Sequence, residues 1–448
     1  MEFSTELVKA ITGLFKQAVI EMVDQQPDSK IGDLEHGLRR LLKQVGGQAL
    51  SEGLSAMDQK YPEPQVVCAC GKMAGYQFRR KAKTLTVFGW VEYRRAYYLC
   101  SHCHQGQYPL DPRFGLQPGQ VSAGLAPLLA LAGVETAFEE GCELVERFLL
   151  LEVSDNTLRK ETQTFGRLQA DNEHVWQAQS QDPQCLQERQ RTPLEHPQRL
   201  YGSLDGSHIP IGEEWRELKA GSWYEVEKVR NATHSGVGQL DELRAKQISY
   251  YCDVADIQAF EPLVWATAVQ RGADLAREIV FVADGATWIW NLVERNFPHA
   301  IQIVDWYHAV EYLAPIAEAA FGTDSCSGKD WLEGVRTLLW EGHIDQVIAA
   351  CQAFQKHTRA GEAACRAITN YTHNAKRMDY ARFRAAGYQI GSGTIESGCK
   401  QIATQRLKRS GARWTLEGAR MTAKARAAWL SGLWDRLAAD RAALPLAT

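Results

Sequence analysis

Two acids in this sequence share a setting. Asp205 closes the run Tyr201-Gly202-Ser203-Leu204-Asp205-Gly206, and Asp284 closes Ile279-Val280-Phe281-Val282-Ala283-Asp284-Gly285. An apolar strand that ends on a carboxylate followed by glycine leaves the acid clear at the strand edge. Asp-Gly after a strand is also a plain turn, but two in the order of one sheet reinforce each other. A third acid, Glu396, lies in Gly391-Ser392-Gly393-Thr394-Ile395-Glu396-Ser397-Gly398. There Thr394 is expected to cap a helix, with Glu396 in its first turn facing the sheet; a simple complement to the helix dipole is the alternative. Three acids on two strands and a helix can hold two Mg²⁺ (or Mn²⁺) ions about 4 Å apart, and hard oxygen ligands suit such ions. One ion turns water or a hydroxyl into a nucleophile and the other stabilises the departing oxygen, while the protein supplies geometry and charge.

A fourth group is Asp305-Trp306-Tyr307-His308, whose spacing puts both polar side chains near one face of an opening helical turn. A capping Asp beside a satisfied surface His is the plainer alternative. Of eleven cysteines, most are isolated in apolar helical context, but four are paired as Cys68-Ala69-Cys70 and Cys100-Ser101-His102-Cys103. Soft thiolates converging from two short turns suit tetrahedral structural Zn²⁺, and a small β module lacks the core to stand without such a clip. His102 and His104 are available as substitute ligands, and four unrelated reduced cysteines are the alternative.

The elements that must position these groups follow from periodicity. Residues 1–60 form an N-terminal helical region, with apolar positions at Leu7, Ile11, Leu14 and Phe15 and again at Leu34, Leu38, Leu41 and Leu42. Residues 61–115 are rich in aromatic, Val and Thr residues with glycine turns, as in a small zinc-ribbon-like β module. Residues 116–175 return to helical spacing. A break at Leu151–Val153 before the capping run Ser154-Asp155-Asn156 suits a helix-turn-helix, a DNA-binding arrangement that ordinary helical hairpins also produce. Residues 176–198, rich in Gln, Asp, Glu and Pro, are expected as a linker.

From Arg199 the character changes. Strands are expected at Leu200–Leu204, Trp223–Val229 and Gln247–Val254, then a helix near Pro262–Gln270, a buried strand at Glu278–Ala283, a helix at Thr287–Arg295 and a strand at Ile301–Asp305. Residues 199–310 thus form the first part of an α/β core, 311–386 an all-α stretch, and 387–448 the Glu396 helix with basic C-terminal helices. At 448 residues, 45% of them apolar and 23% charged, the chain is a soluble multidomain protein. No run of about 18 apolar residues suggests a membrane span, and the acid-containing N-terminus lacks the features of a secretory signal. A cytoplasmic location is expected. The net charge of −4 argues neither for nor against nucleic acid.

Asp205-Gly, Asp284-Gly and Glu396, with Asp305-Trp-Tyr-His308 between the second and third acids, resemble the DDE transposases of bacterial insertion sequences. The intervening element is similar to the C/D-x₂-H motif of the Mutator-like group. The likeness is nearest to the ISKra type, through the paired cysteines followed by Gln107–Asp111, Trp215–Gly221 and Leu407–Trp414. It covers roughly residues 66–435, and order and spacing carry it more than any single motif. The resemblance implies a ribonuclease-H-like catalytic core with an all-α insertion before the final Glu. It also implies metal ligation by Asp205, Asp284 and Glu396, with Asp305 and His308 arranging the active site or the DNA flank. The expected partners are double-stranded DNA, as element ends and target, and further copies of the chain in a homodimer or higher oligomer; the setting is the nucleoid. Two departures stand out. The stretch after Asp205 is short, and Asp253 and Asp256 are competing ligands.

Two basic surfaces fit that expectation. Lys400, Arg406, Lys408, Arg409, Arg413, Arg420 and Lys424 fall within 25 residues against one acid, Glu417, and each neutralised phosphate adds salt-dependent affinity. Trp414 would stack on a splayed base; an ordinary helix face with Trp414 in the core is the alternative. On the β module, Arg79, Arg80, Lys81, Lys83, Arg94 and Arg95 interleave with Tyr93, Tyr97 and Tyr98, a mix that suits phosphate contacts. Two rival functions remain open: a Mg²⁺-dependent nuclease on the same core, and a non-catalytic, domesticated zinc-containing DNA-binding protein.

Overall fold

Two helices, α1 (Thr5–Gln25) and α2 (Ile31–Gln59), precede a four-stranded antiparallel sheet of β1 (Gln65–Val67), β2 (Met73–Thr86), β3 (Gly89–Cys100) and β4 (Gly106–Gln107), in that spatial order. The computed structural model describes residues 5–25, 30–59, 63–191, 196–231 and 240–444. Period-two alternation along β3 buries Val91, Tyr93 and Arg95, then shifts by one residue to bury Ala96, Tyr98 and Cys100. Buried Asp58 at the end of α2 accepts from the Ala96 amide (2.8 Å) and from Arg79 (2.7 Å). Helix α3 (Leu110–Phe114) then leads to α4 (Ala126–Glu135), α5 (Phe138–Leu149) and the long α6 (Asp155–Gln181). Leu150 takes a left-handed conformation after α5, and the Ser154 hydroxyl accepts from the Thr157 amide to cap α6.

Two compact units result, 1–168 with 434–448, and 169–433. Expected as part of a 387–448 segment, the last helix instead belongs to the first unit. Its Trp434 stacks on Phe165 (4.7 Å) and its Arg441 pairs with Glu161 (3.1 Å). The linker expected over 176–198 is also corrected: α6 runs to Gln181, and α7 occupies Pro183–Arg191, with 192–195 outside the described residues. Polar composition misled because the helices are held at a few points. Trp265 donates to the Ser180 carbonyl (3.1 Å), and Arg189 grips Asp274 (3.1 Å) and the Val269 carbonyl (2.6 Å).

The second unit is a mixed α/β body on a five-stranded open sheet. Its strands are β5 (Arg199–Ile211), β6 (Glu214–Asn231), β7 (Leu240–Asp253), β8 (Glu278–Ala283) and β9 (Ile301–Val304), ordered β7-β6-β5-β8-β9. Helix α8 (Ile257–Gln270) lies between β7 and β8, and α9 (Thr287–Asn296) between β8 and β9. The β5–β6 and β6–β7 pairs are antiparallel; β5–β8 and β8–β9 are parallel. β5 does not end at Asp205. It runs six residues further, pairing with β6 alone, to a tight turn at Gly212, whose positive φ suits glycine.

Helices α10 (Trp306–Glu311), α11 (Ala314–Phe321), α12 (Cys326–Trp340), α13 (Ile344–Gln352), α14 (Gly361–Asn374) and α15 (Tyr380–Ala385) follow β9. They share one hydrophobic core with the sheet, through residues such as Leu339, Val347, Ala364 and Tyr371. Buried tyrosine hydroxyls pin them: Tyr371 donates to the Ala309 carbonyl (2.7 Å) and Tyr380 to that of Val304 (3.0 Å). Helix α16 (Gly393–Cys399) passes directly into a π-helical stretch, Lys400–Leu407, and α17 (Leu416–Leu430) and α18 (Trp434–Ala443) complete the chain.

The competing acids have structural work. Asp256 caps α8, accepting from the Ala259 amide. Asp253 receives Arg420 (2.6 Å) and Lys424 (3.1 Å), and buried Lys424 also reaches Glu173 (2.5 Å). Removing one partner from so buried a network typically costs about 3–5 kcal/mol. Among the described residues, no helix is long and apolar enough to cross a membrane.

Candidate functional site

The parallel strands bring the acids to one level. β5 pairs with β8 up to Gly202–Phe281 and β8 with β9 up to Ala283–Val304, so continuing both registers sets Asp205 beside Asp284 and Asp284 beside Asp305. Past Gly202 β5 no longer pairs with β8, which continues two residues beyond Phe281 to Ala283 before the chain turns into α9. The Asp284 carboxylate accepts from the Ala286 amide (3.0 Å), closing that turn. Gly285 lies close under α14: a Cβ there would come 2.5 Å from the Asn370 amide, so that side chain would have to shift. Asp205 accepts from the Gly206 amide (2.6 Å), and its charge, after burial, helps raise the nearby Cys399 thiol.

Asp305 is fully buried and caps α10. One of its oxygens accepts from the His308 amide (2.8 Å) and ring Nδ1 (3.1 Å); the other accepts from the Ser392 amide. Ser392 in turn donates its hydroxyl to Glu396 (3.1 Å), whose carboxylate lies 3.9 Å from His308 Nδ1. Two turns 87 residues apart in sequence are therefore fastened to one carboxylate.

Electrostatics follow from this wiring. Burial, and then the charges of Asp205 and Asp305, raise the Asp284 carboxyl above its ordinary range. Burial would raise Asp305 too, but its hydrogen bonds from His308 and Ser392 outweigh it and hold that carboxyl low. The same bond to Asp305 pushes His308 up to about 9 against its burial. An open cleft of ≈ 490 Å³, lined by Asp284, Gly285, His308, Glu311 and Arg366 among others, forms the mouth of the site.

Among the described residues, two groups of His, Cys, Asp or Glu could hold a metal, each with donor atoms within 4.8 Å of one another. They are Asp305–His308–Glu396 and Cys68–Cys70–Cys100–Cys103. The expected set of Asp205, Asp284 and Glu396 is not one of them. Asp205 and Asp284 share a level, whereas Glu396 turns toward Ser392 and His308. Thr394 is not the cap either: Ser392 holds the N-cap position, and Thr394 is buried within the first turn.

The basic stripe is corrected in part. Arg406 is 2% and Trp414 8% exposed. The Trp414 indole donates to the Leu407 carbonyl (3.0 Å), and the Arg406 guanidinium lies 5.0 Å from its ring centre. Neither is placed to meet DNA, and Arg420 and Lys424 are committed to Asp253. Helical spacing hid this because the π-helical stretch turns Arg406 inward. Lys400 and Arg413 are exposed, while Lys408 and Arg409 are half-buried.

The four cysteines lie in two facing turns, Cys68–Gly71 after β1 and Cys100–His104 after β3. Their sulfurs approach to 3.5 Å (Cys68–Cys103) and 3.7 Å (Cys70–Cys100). Amide donors from Cys103 and His102 draw Cys100 down to about 6. Cys103, although the Gln105 amide lowers it, is pushed up to about 12 by the surrounding sulfurs. Cys100 is thus the thiol poised to ionise, while Cys103 stays a neutral thiol unless a cation offsets the charge of its neighbours.

No known family model matches the chain, and no curated protein gives a significant match. The residues that sequence reasoning missed are Ser392, which links Asp305 to Glu396, and Cys399, which lies near Asp205. The serine's only signal was its place between two glycines before a helix.

A pH dependence follows. With its folded value raised from 6.5 to about 9, the charged His308 contributes stability that is fully present below about pH 6.5 and lost as pH rises through about 9. In metal-free protein, thermal stability is expected to fall more steeply between those limits for the wild type than for His308→Gln. Parallel curves would contradict the His308–Asp305 bond.

Proposed function

We propose that this chain is a DNA transposase of the DDE type, which cuts and rejoins the ends of an insertion sequence. The observation that carries the reading is that Asp205, Asp284 and Asp305 fall at or just past the paired ends of three neighbouring parallel strands, with Glu396 tied to Asp305 through Ser392. The strand order, with β6 alone antiparallel to its neighbours, supports a ribonuclease-H-like core, with α11–α15 as its all-α insertion. The resemblance to ISKra-type transposases points the same way.

The acidic donors fit a hard divalent cation. The raised Asp284 carboxyl, pressed by burial and by Asp205, is a concentration of negative charge that a cation relieves. Asp205, Asp284 and Glu396 would hold Mg²⁺ or Mn²⁺, which when bound activates a water or a DNA 3′-hydroxyl and stabilises the leaving oxygen. The side chains do the rest. Asp305, its oxygens taken by protein donors, holds α10 and the Ser392 turn in place. His308, cationic at neutral pH, sits where it offsets phosphate charge entering the cleft. Lys400, Lys408, Arg409 and Arg413 supply backbone contacts to double-stranded DNA, and a dimer or higher oligomer is expected on it.

Zn²⁺ is the ion we assign to the cysteines. A four-thiolate tetrahedron with bonds of about 2.3 Å has sulfur–sulfur edges of about 3.8 Å, close to the 3.5 and 3.7 Å found. Elemental analysis is expected to find one zinc per chain in the wild type and none after Cys100→Ser, with loss of stability in the β module. A zinc-free, fully stable wild type refutes the assignment.

Catalysis is tested by incubating the protein with a plasmid carrying the DNA that flanks its reading frame and a second, target plasmid. Mg²⁺-dependent cleavage and joining are expected. Asp205→Ala, Asp284→Ala and Glu396→Ala should each lower the rate on the order of a hundred-fold or more while DNA binding persists. Hydrolysis without joining would assign a nuclease instead, and wild-type behaviour of Asp205→Ala would leave a non-catalytic DNA-binding protein.

A further inference from the structure

A second cavity, of ≈ 720 Å³, opens beside the acidic cluster, within the size range of small-ligand sites. One wall is a single face of α12, where Glu333, Arg336, Thr337 and Trp340 follow at helical spacing. The opposite side is built by Trp306, Tyr307 and Gly391, the immediate neighbours of Asp305, His308 and Ser392. Tyr307 is 68% exposed, a large aromatic surface with no core to fill, and its ring lies over Gly391. Trp340 is also partly exposed, and Arg384 stacks on it at 3.8 Å.

The polar groups narrow the ligand. Two guanidinium groups, Arg336 and Arg384, line the cavity with one carboxylate, Glu333; Arg336 pairs with Glu333 at 3.4 Å and Arg384 donates to the Trp340 carbonyl (2.9 Å), which leaves a surplus of one positive charge. Gln389 spends its amide nitrogen on the Gly391 carbonyl (3.2 Å), while its carbonyl oxygen is buried without a partner. Aromatic surface and excess positive charge together match a nucleotide: a π-faced base and an anionic phosphate. A base inside a duplex has both faces and its pairing edge occupied, so the nucleotide must be unpaired.

We propose that this cavity holds one unpaired nucleotide of the strand being processed, its base against the exposed ring of Tyr307 and its phosphate near Arg336 and Arg384. The proposal rests on the DNA-processing reading and extends it. A nucleotide seated here lies one residue along the chain from His308, which sets the register of the strand relative to the acids.

The test uses the full chain with a single-stranded oligonucleotide carrying 2-aminopurine, in EDTA, so that binding is read without chemistry. Wild type is expected to quench the 2-aminopurine emission by stacking. Tyr307→Ala, at an exposed position that leaves the fold intact, should weaken quench-detected binding roughly five- to one-hundred-fold, the loss of one base–aromatic stack. Tyr307→Phe should retain it, and Arg336→Ala should reduce the salt dependence. Absence of quenching by the wild type, or equal quenching by Tyr307→Ala, overturns the proposal. Quenching that depends on Tyr307 in a protein that neither cleaves nor joins DNA upholds the nucleotide site and sinks only the transposase reading.

Discussion

One buried carboxylate organises the second unit's chemistry. Asp305 has no exposed surface, yet it remains ionised because three donors from two distant turns converge on it. A buried charge so satisfied costs little to keep, whereas the same charge with one donor removed becomes a liability of several kcal/mol. The turn that carries Glu396 therefore cannot leave α10 without exposing an unmet need. The distance between Glu396 and the strand-borne acids is set by this bond, and Glu396 itself, half exposed, contributes none of the packing that holds it there.

Around that clamp the charges are arranged asymmetrically. Asp253 is neutralised by Arg420 and Lys424 and locks α17 to β7. Asp205 and Asp284, by contrast, have no cationic partner of this kind: each accepts from a backbone amide, and the charge of Asp205 is felt at Asp284. His308 is a cation near them, held protonated by Asp305. Acids with counter-ions support the fold, and acids without them are left for a ligand. The distinction separates the structural carboxylates of this unit from the candidate functional ones.

Strand and helix order was legible where apolar runs are short and bounded, as at Glu278–Ala283 and Ile301–Val304, because a buried parallel strand needs a continuous apolar stretch. The reach of β5 past Asp205 was not legible. Beyond Gly202 that strand pairs on one side only, and a residue's neighbours across a sheet leave no local trace. The acids at the strand ends could be picked out individually, but the turn of Glu396 toward His308 depends on Ser392, a long-range contact. Basic residues were over-read as surface. Arg406 and Lys424 have the composition of a DNA-binding stripe, yet a π-helical turn and two buried carboxylates draw them inward. Length and polarity suggested a linker at 176–198, where three side-chain anchors hold helices in place.

The measurement closest to the central claim is the Mn²⁺ affinity of Asp305→Asn, read by electron paramagnetic resonance beside the wild type. An amide in place of one oxygen sets a donor against the Ser392 or His308 N–H groups and releases Glu396. The affinity of the acidic site is expected to fall roughly ten- to one-hundred-fold, the scale of losing an orienting partner behind a metal ligand, with helical content unchanged. Wild-type affinity in that variant would contradict the account.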